Sequence, residues 1–175
     1  WTVDPMHVVT QPEQVAVDSV DQRFWHTAKA DKAGTLVQFI QHKKPSHTLV
    51  FVNRRDQARY LVSHLSREGI QCEGLAGDIP QRKRLATLNR FKEGKTNLVV
   101  ATDVAGRGIH VEGISHVINF DLPEDAEDYV HRIGRTGRAG ASGISISFVS
   151  EDDAFNLPAI EEFIGTNIVC THPDL

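Results

Sequence analysis

Short apolar runs alternate with segments of helical period along most of this chain, and that alternation restricts the folds open to it. Residues 48–52 are an unbroken apolar run ended by Asn53, the pattern of a strand buried on both faces. Residues 56–68 follow with Ala58, Leu61, Val62 and Leu65 on one stripe and Gly69 as a stop, which predicts a helix. Strands are predicted over 70–75, 97–101, 116–120 and 144–149. Helices are predicted over 31–41, 80–92 (Leu85, Leu88 and Phe91 inward), 125–132 and 154–164. Residues 15–24 alternate as a strand would, and 1–13, with Pro5 and Pro12 and no period, read as a linker or domain edge. Such a succession predicts the α/β class: a mainly parallel sheet flanked by helices on both faces.

In sheets of that kind ligands sit at the carboxyl ends of the strands. Asn53, Gly77-Asp78 and Thr102-Asp103 directly follow predicted strands. Pro80 suits a first helical turn, and free N–H groups at a helix start attract phosphate. Gln81 and Arg84, three apart, share a face of that helix. Gly106-Arg107-Gly108 allows backbone to approach a sugar-phosphate chain closely. The densest signal is His131-Arg132-Ile133-Gly134-Arg135-Thr136-Gly137-Arg138. Arginine presents a planar, always-charged fork that matches phosphate oxygens. On a helix His131, Arg135 and Arg138 share a face, with Arg132 directed elsewhere. Taken alone, the cluster reads equally well as a solvated basic turn.

The chain of 175 residues carries a net charge of −4, which by itself disfavours a nucleic-acid binder. The charges are segregated, however. Arg82, Lys83, Arg84, Arg90, Lys92 and Lys95 crowd one segment, while the acids crowd 121–128 and 151–153. A local basic face on an acidic domain is therefore expected, against the alternative of a solvated helix face. No apolar run approaches a membrane span. Cys72 and Cys170 do not form a disulfide framework and suit a reducing cytoplasm. Cys170 and His172 lack a second ligand pair nearby, so no metal site is expected.

Four segments in order, Leu49 to Asn53, Gly77 to Arg84, Val99 to His110 and His131 to Arg138, resemble motifs IV, IVa, V and VI of DEAD-box RNA helicases. The resemblance covers roughly residues 22–164 and is to the second, C-terminal RecA-like domain, with 1–13 the edge of a preceding domain, 14–165 the domain proper and 166–175 a tail. Residues 138–143 and 156–165 look most like the bacterial RhlB type. The resemblance implies that Arg135 and Arg138 are arginine fingers toward the ATP γ-phosphate and that His131 links to the other domain. It implies that Arg107 and His110 lie near the nucleotide. It further implies that Asn53, Arg54, Gly77, Asp78, Gln81, Arg84, Thr102, Asp103 and Gly106 form part of the RNA surface.

Two residues depart from the pattern. Gly106 replaces the usual alanine, which is expected to loosen the loop. His110 replaces the usual aspartate, which in the family touches the ribose and organises the fingers. No G-x-x-x-x-G-K-[ST] and no Asp-Glu-Ala-Asp occurs in the chain. ATP and Mg²⁺ are thus expected mainly on a preceding domain, and the chain alone is expected to be inactive. A monomer is expected, with RNA, the preceding RecA-like domain and, from the RhlB-type resemblance, an RNase E-like scaffold in RNA degradation as partners. A non-catalytic RNA-binding or adaptor module is the alternative; a DNA translocase half would differ in not reading the 2′-hydroxyl.

Overall fold

A computed structural model describes residues 9–137 and 142–175. Among these, seven strands form one sheet in the order β3-β4-β2-β5-β6-β1-β7, and every neighbouring pair is parallel. The strands are β1 (Val20–His26), β2 (Thr48–Phe51), β3 (Glu73–Leu75), β4 (Leu98–Ala101), β5 (His116–Asn119), β6 (Gly143–Val149) and β7 (Cys170–Thr171). The helices are α1 (Gln11–Ser19), α2 (Lys32–Lys43), α3 (Arg55–Arg67), α4 (Gln81–Lys92), α5 (Asp103–Gly106), α6 (Ala126–Ile133) and α7 (Leu157–Ile164). Among the described residues no helix is long and apolar enough to cross a membrane.

The period of two along each strand divides the core between the sheet's faces. Val50 and Val52 pack with Leu36 and Phe39 of α2 and Leu61 and Leu65 of α3. Leu49 and Phe51 pack on the other face with Phe91 of α4 and Ala105 of α5. Further along, Trp25 joins the α2 side while Phe24 packs with Tyr129, Val130 and Ile133 of α6 and Ile160 of α7. Helices therefore cover both faces, as the alternation requires.

Four local expectations change. Residues 11–19 are helix, not strand. A capping box starts α1: the Thr10 hydroxyl accepts from the Glu13 amide, and the Glu13 carboxylate accepts from the Thr10 amide. The strand expected from residue 15 begins at Val20. Leu85 is half exposed, while Thr87 and Phe91 are the buried residues of α4. The segment expected to be a tail adds β7 beside β1, with Phe24 opposite Cys170 and Trp25 opposite Thr171.

One glycine anchors the loop after α6. An added Cβ at Gly143, the first residue of β6, would lie 2.6 Å from the Gly137 backbone nitrogen and collide with the Thr136 side chain. Thr136 is buried and donates its hydroxyl to the Ile114 carbonyl. Neither neighbour is a flexible side-chain tip. Gly143→Ala is expected to destabilise the chain by about 1–3 kcal/mol through overpacking. Urea unfolding of the two proteins checks this; an unchanged midpoint would show that the loop yields without cost.

Candidate nucleotide and nucleic-acid interface

Because all strands run the same way, their carboxyl ends share one edge. Asn53 follows β2, Gly77 and Asp78 follow β3, Thr102 and Asp103 follow β4, and Asp121 follows β5. The residues that chemistry singled out in the sequence thus meet at a single rim.

Arg132 sits beneath that rim. It is 1% exposed and uses every donor it has. Nε and one Nη2 hydrogen go to the two Asp103 carboxylate oxygens, both at 2.7 Å. Nη2 also donates to Asn53 Oδ1 at 2.7 Å. Nη1 donates to the Asp121 carbonyl at 2.7 Å and to Asn119 Oδ1 at 3.3 Å. The guanidinium lies 5.2 Å from the centre of the Phe51 ring. Expected to point elsewhere than His131 and Arg135, Arg132 points inward and joins the loops after β2, β4 and β5. The sequence carried a sign of it: Tyr129, Arg132, Ile133 and Thr136 fall at i, i+3, i+4 and i+7, and all four are buried.

His131, Arg132 and Arg135 line one open cleft of about 310 Å³ with Phe51, Asp103, Gly106, Arg107, Gly108 and Asp128. The helical face expected for His131, Arg135 and Arg138 does not extend that far. α6 ends at Ile133, Gly134 caps it, and Gly137 has φ +70°. Arg138 lies outside the described residues. The Arg135 side chain folds back, with Nε on the His131 carbonyl at 3.2 Å and Nη1 on the Ile109 carbonyl at 2.8 Å. His131 is exposed and has Glu127 3.8 Å away, and Glu13 of α1 joins that pair. Arg107 and His110 are exposed at the lip. Burial first, then the charges of Asp103 and Asp125, hold the Asp128 carboxyl above its ordinary value.

The candidate RNA residues divide into exposed and buried groups. Asn53 keeps an exposed surface while its amide N–H is held by Asp121 and its side-chain N–H by the Leu122 carbonyl. Arg54 is exposed and pairs with Asp56 at 3.0 Å. Gly77, Asp78 and Gln81 are exposed, with Asp78 paired to Arg59. Thr102 and Gly106 are buried. The Gly106 Cα faces the Phe51 ring so closely that a Cβ there would lie 2.7 Å from a ring carbon. Glycine therefore packs this loop tightly on Phe51 rather than loosening it.

Arg84 turns inward. Its Nη1 donates to the Ala105 carbonyl and its Nη2 to the Arg107 carbonyl at 2.9 Å, so it fastens α4 to the loop after β4. The basic segment is thinner than its composition suggests. Arg90 is held by Glu73 and Lys95 lies 3.0 Å from Glu93. The Arg90 guanidinium is the main influence drawing the Glu73 carboxyl below its usual range.

Arg132→Lys keeps the charge but not the fork. It leaves several buried acceptors without donors, each costly when unsatisfied. A loss of about 3 kcal/mol is expected, the scale for breaking a buried charge network. Equal urea midpoints for the two proteins would show that the fork is dispensable.

The comparisons agree with this geometry. The model of the helicase conserved C-terminal domain matches residues 31–140. The ATP-dependent RNA helicase RhlB of Pseudomonas aeruginosa (strain UCBPP-PA14) is 55% identical over 173 residues, 99% of this chain and 44% of that protein. RhlB of Vibrio vulnificus (strain YJ016) is 47% identical over 92% of this chain and 37% of its own length. The chain thus spans less than half of these relatives. Among solved structures, E. coli SrmB bound to regulator of ribonuclease activity A superposes with TM-score 0.80 at 36% identity, covering 86% of this chain and 89% of that one. S. cerevisiae Dbp5 L327V bound to RNA and ADP BeF3 superposes with TM-score 0.84 at 32% identity, covering 94% and 44%. Sequence, topology and the four motifs lead to one assignment: the chain belongs to the helicase conserved C-terminal domain family, and its sequence is similar to the C-terminal part of RhlB helicases.

Proposed function

We propose that the chain is the C-terminal half of an ATP-dependent RNA helicase, which presents arginine fingers to ATP bound on a preceding domain and supplies part of the RNA track. The observation that carries this reading is the cleft that gathers Arg135, Arg107 and His131 beside the loops after β2 and β4, in a chain with no phosphate-binding lysine loop of its own. Mg²⁺ is assigned to the preceding domain together with ATP, and no side chain here is given to it. RNA meets phosphate- and sugar-directed groups at the Asn53, Gly77 to Arg84 and Thr102 to Gly106 loops, which favours binding without sequence preference. The reading extends to a place in RNA degradation on an RNase E-like scaffold, the expectation that the RhlB-type resemblance carries. SrmB bound to a ribonuclease regulator supports protein docking on domains of this kind.

The finger proposal has a physical basis. Two bonds of the Arg135 guanidinium end on neutral carbonyls, whereas a phosphate oxygen offers a charge-assisted bond roughly twice as strong. Domain closure exchanges one set of acceptors for the other and brings positive charge to the developing charge of phosphoryl transfer. In the full-length protein Arg135→Ala is expected to lower RNA-stimulated ATP turnover by roughly 10³-fold, the scale of arginine fingers. Arg135→Lys should also fail, because a point charge lacks the fork. Steady-state phosphate release measures both, and near-normal turnover in the alanine variant would make Arg135 structural.

His110 is the second test of the reading. It lies exposed one residue after Ile109, whose carbonyl holds Arg135. An imidazole at this position makes one hydrogen bond where a carboxylate brings fixed negative charge. His110→Asp in the full-length protein is expected to lower the ATP Michaelis constant by roughly tenfold, the worth of one hydrogen bond to a charged group. Identical constants for the two proteins would remove His110 from the nucleotide site.

A further inference from the structure

Beside the Arg132 network lies a second buried charge cluster, centred on a residue of α2 upstream of all four motifs. Lys32 is 3% exposed. Its Nζ donates to Asp153 Oδ2 at 2.6 Å and to Asp121 Oδ1 at 3.2 Å, and stands 5.6 Å from the centre of the Phe120 ring. Asp153 ties two strand ends together, accepting the Leu122 amide on Oδ1 at 3.1 Å and the Ser150 amide and hydroxyl on Oδ2. Asp121 spends its other oxygen on the Asn53 amide at 3.1 Å, and its carbonyl accepts from Arg132 at 2.7 Å. Leu122, held by Asp153, in turn accepts the Asn53 side-chain N–H at 3.0 Å.

Resting on the helicase reading above, we infer that Lys32 is a positioning residue for the RNA-binding edge, acting through Asp121 on Asn53 and through Arg132 on Asp103. Stability alone does not account for it. A buried ion cluster repays its desolvation poorly, and apolar side chains of similar volume do as well or better. What an ion cluster adds is direction, because each carboxylate oxygen is held in one place by its own set of donors. Here those places are the backbone of the loop carrying Asn53 and the backbone that receives Arg132. Lys32 also faces two carboxylates in a cleft of about 720 Å³ whose lining is rich in acids, Asp125, Asp128 and Asp152 among them, at the same rim that a phosphate chain would approach. The Lys32 bonds run to Asp121 and Asp153, whereas Arg135 donates to the His131 and Ile109 carbonyls. Lys32 should therefore govern RNA engagement more than the chemical step.

The test uses the full-length protein, with poly(A) RNA titrated into an ATP-turnover assay. Lys32→Met removes the cation and leaves two buried carboxylates, so its melting temperature should fall. Lys32→Met/Asp153→Asn balances the charge and recovers much of that melting temperature. In both, the RNA concentration for half-maximal turnover is expected to rise about tenfold, the coupling scale within one hydrogen-bonded network. Turnover at saturating RNA should stay within about twofold, because the bonds from Lys32 lead to the Asn53 and Asp103 loops. Lys32→Arg, which keeps the cation, should stay within about threefold of the wild-type half-saturation. The inference is overturned if the charge-balanced variant keeps the wild-type half-saturation, or if turnover falls in proportion to melting temperature with half-saturation unchanged. Lys32 is then only structural. Absence of RNA-stimulated turnover in the wild-type protein instead overturns the helicase reading itself.

Discussion

Arg132 carries a full charge in a place water does not reach. Its bonds to Asp103, Asn53, Asn119 and the Asp121 carbonyl hold the loops after β2, β4 and β5 in one arrangement. Leaving such a charge unpaired costs several kcal/mol, so partners and guanidinium are ordered together or not at all. The loops it gathers contain the residues that face outward on the rim. A parallel sheet supplies the common edge, but the edge alone leaves three loops free to move independently. The guanidinium converts them into one surface, and the phenyl ring of Phe51 fixes the plane in which it lies.

The neighbouring arginine is handled in the opposite way. Arg132 is locked by carboxylate and amide oxygens, whereas Arg135 donates to the His131 and Ile109 backbone carbonyls. Three residues apart, one guanidinium is buried among side chains and one lines the open cleft. The break in the chain's geometry explains how both are possible. α6 stops at Ile133, and Gly134 begins a turn that carries Arg135 out of the buried helical face. A continuous helix would have placed Arg135 four residues from His131 on a rigid face, with less freedom to change partners. The tight packing of Gly106 on Phe51 belongs to the same design: it brings the loop after β4 close enough for Asp103 to reach Arg132 and for Arg84 to clasp its carbonyls.

The parallel sheet and its covering helices were legible because they follow from periodicity, which survives without tertiary information. What escaped was set by capping or by contacts distant in sequence. α1 alternated like a strand, and only the Thr10 and Glu13 capping pair marked it as a helix. α5 has four residues and β7 two, lengths too short to show a period. In α4 the stripe of Leu85, Leu88 and Phe91 held for Phe91 and Leu88, which pack in the core, but not for Leu85, whose place is taken by Thr87. For the site, the Arg-Gly cluster pointed to the cleft that His131, Arg132 and Arg135 line. It did not show which arginine is buried, because charge type alone carries no direction. Arg132 and Lys32 both fall in register with apolar neighbours, Tyr129 and Ile133 for one and Leu36 for the other. A charged residue on an apolar stripe requires buried partners, and that rule applied to the helical period would have found both.

The negative charge of the domain and a polyanionic ligand are reconciled by the order of the strands. The basic residues of α4 lie beyond β3 and β4, at one end of the sheet. Asp121, Asp125, Asp128, Asp152 and Asp153 line the cleft past β5 and β6, toward the other end. β2 stands between them, and its loop carries Asn53, an uncharged residue, at the boundary. Charges separated by more than about 10 Å are screened from each other at moderate salt, so the two regions act locally rather than as one net charge. A phosphate chain of the proposed kind, laid along the rim, would meet attraction on one side and repulsion on the other, a lateral limit as well as an attraction. Lys32 and Arg132 neutralise the carboxylates nearest that limit, and the boundary therefore falls where the two buried cations end.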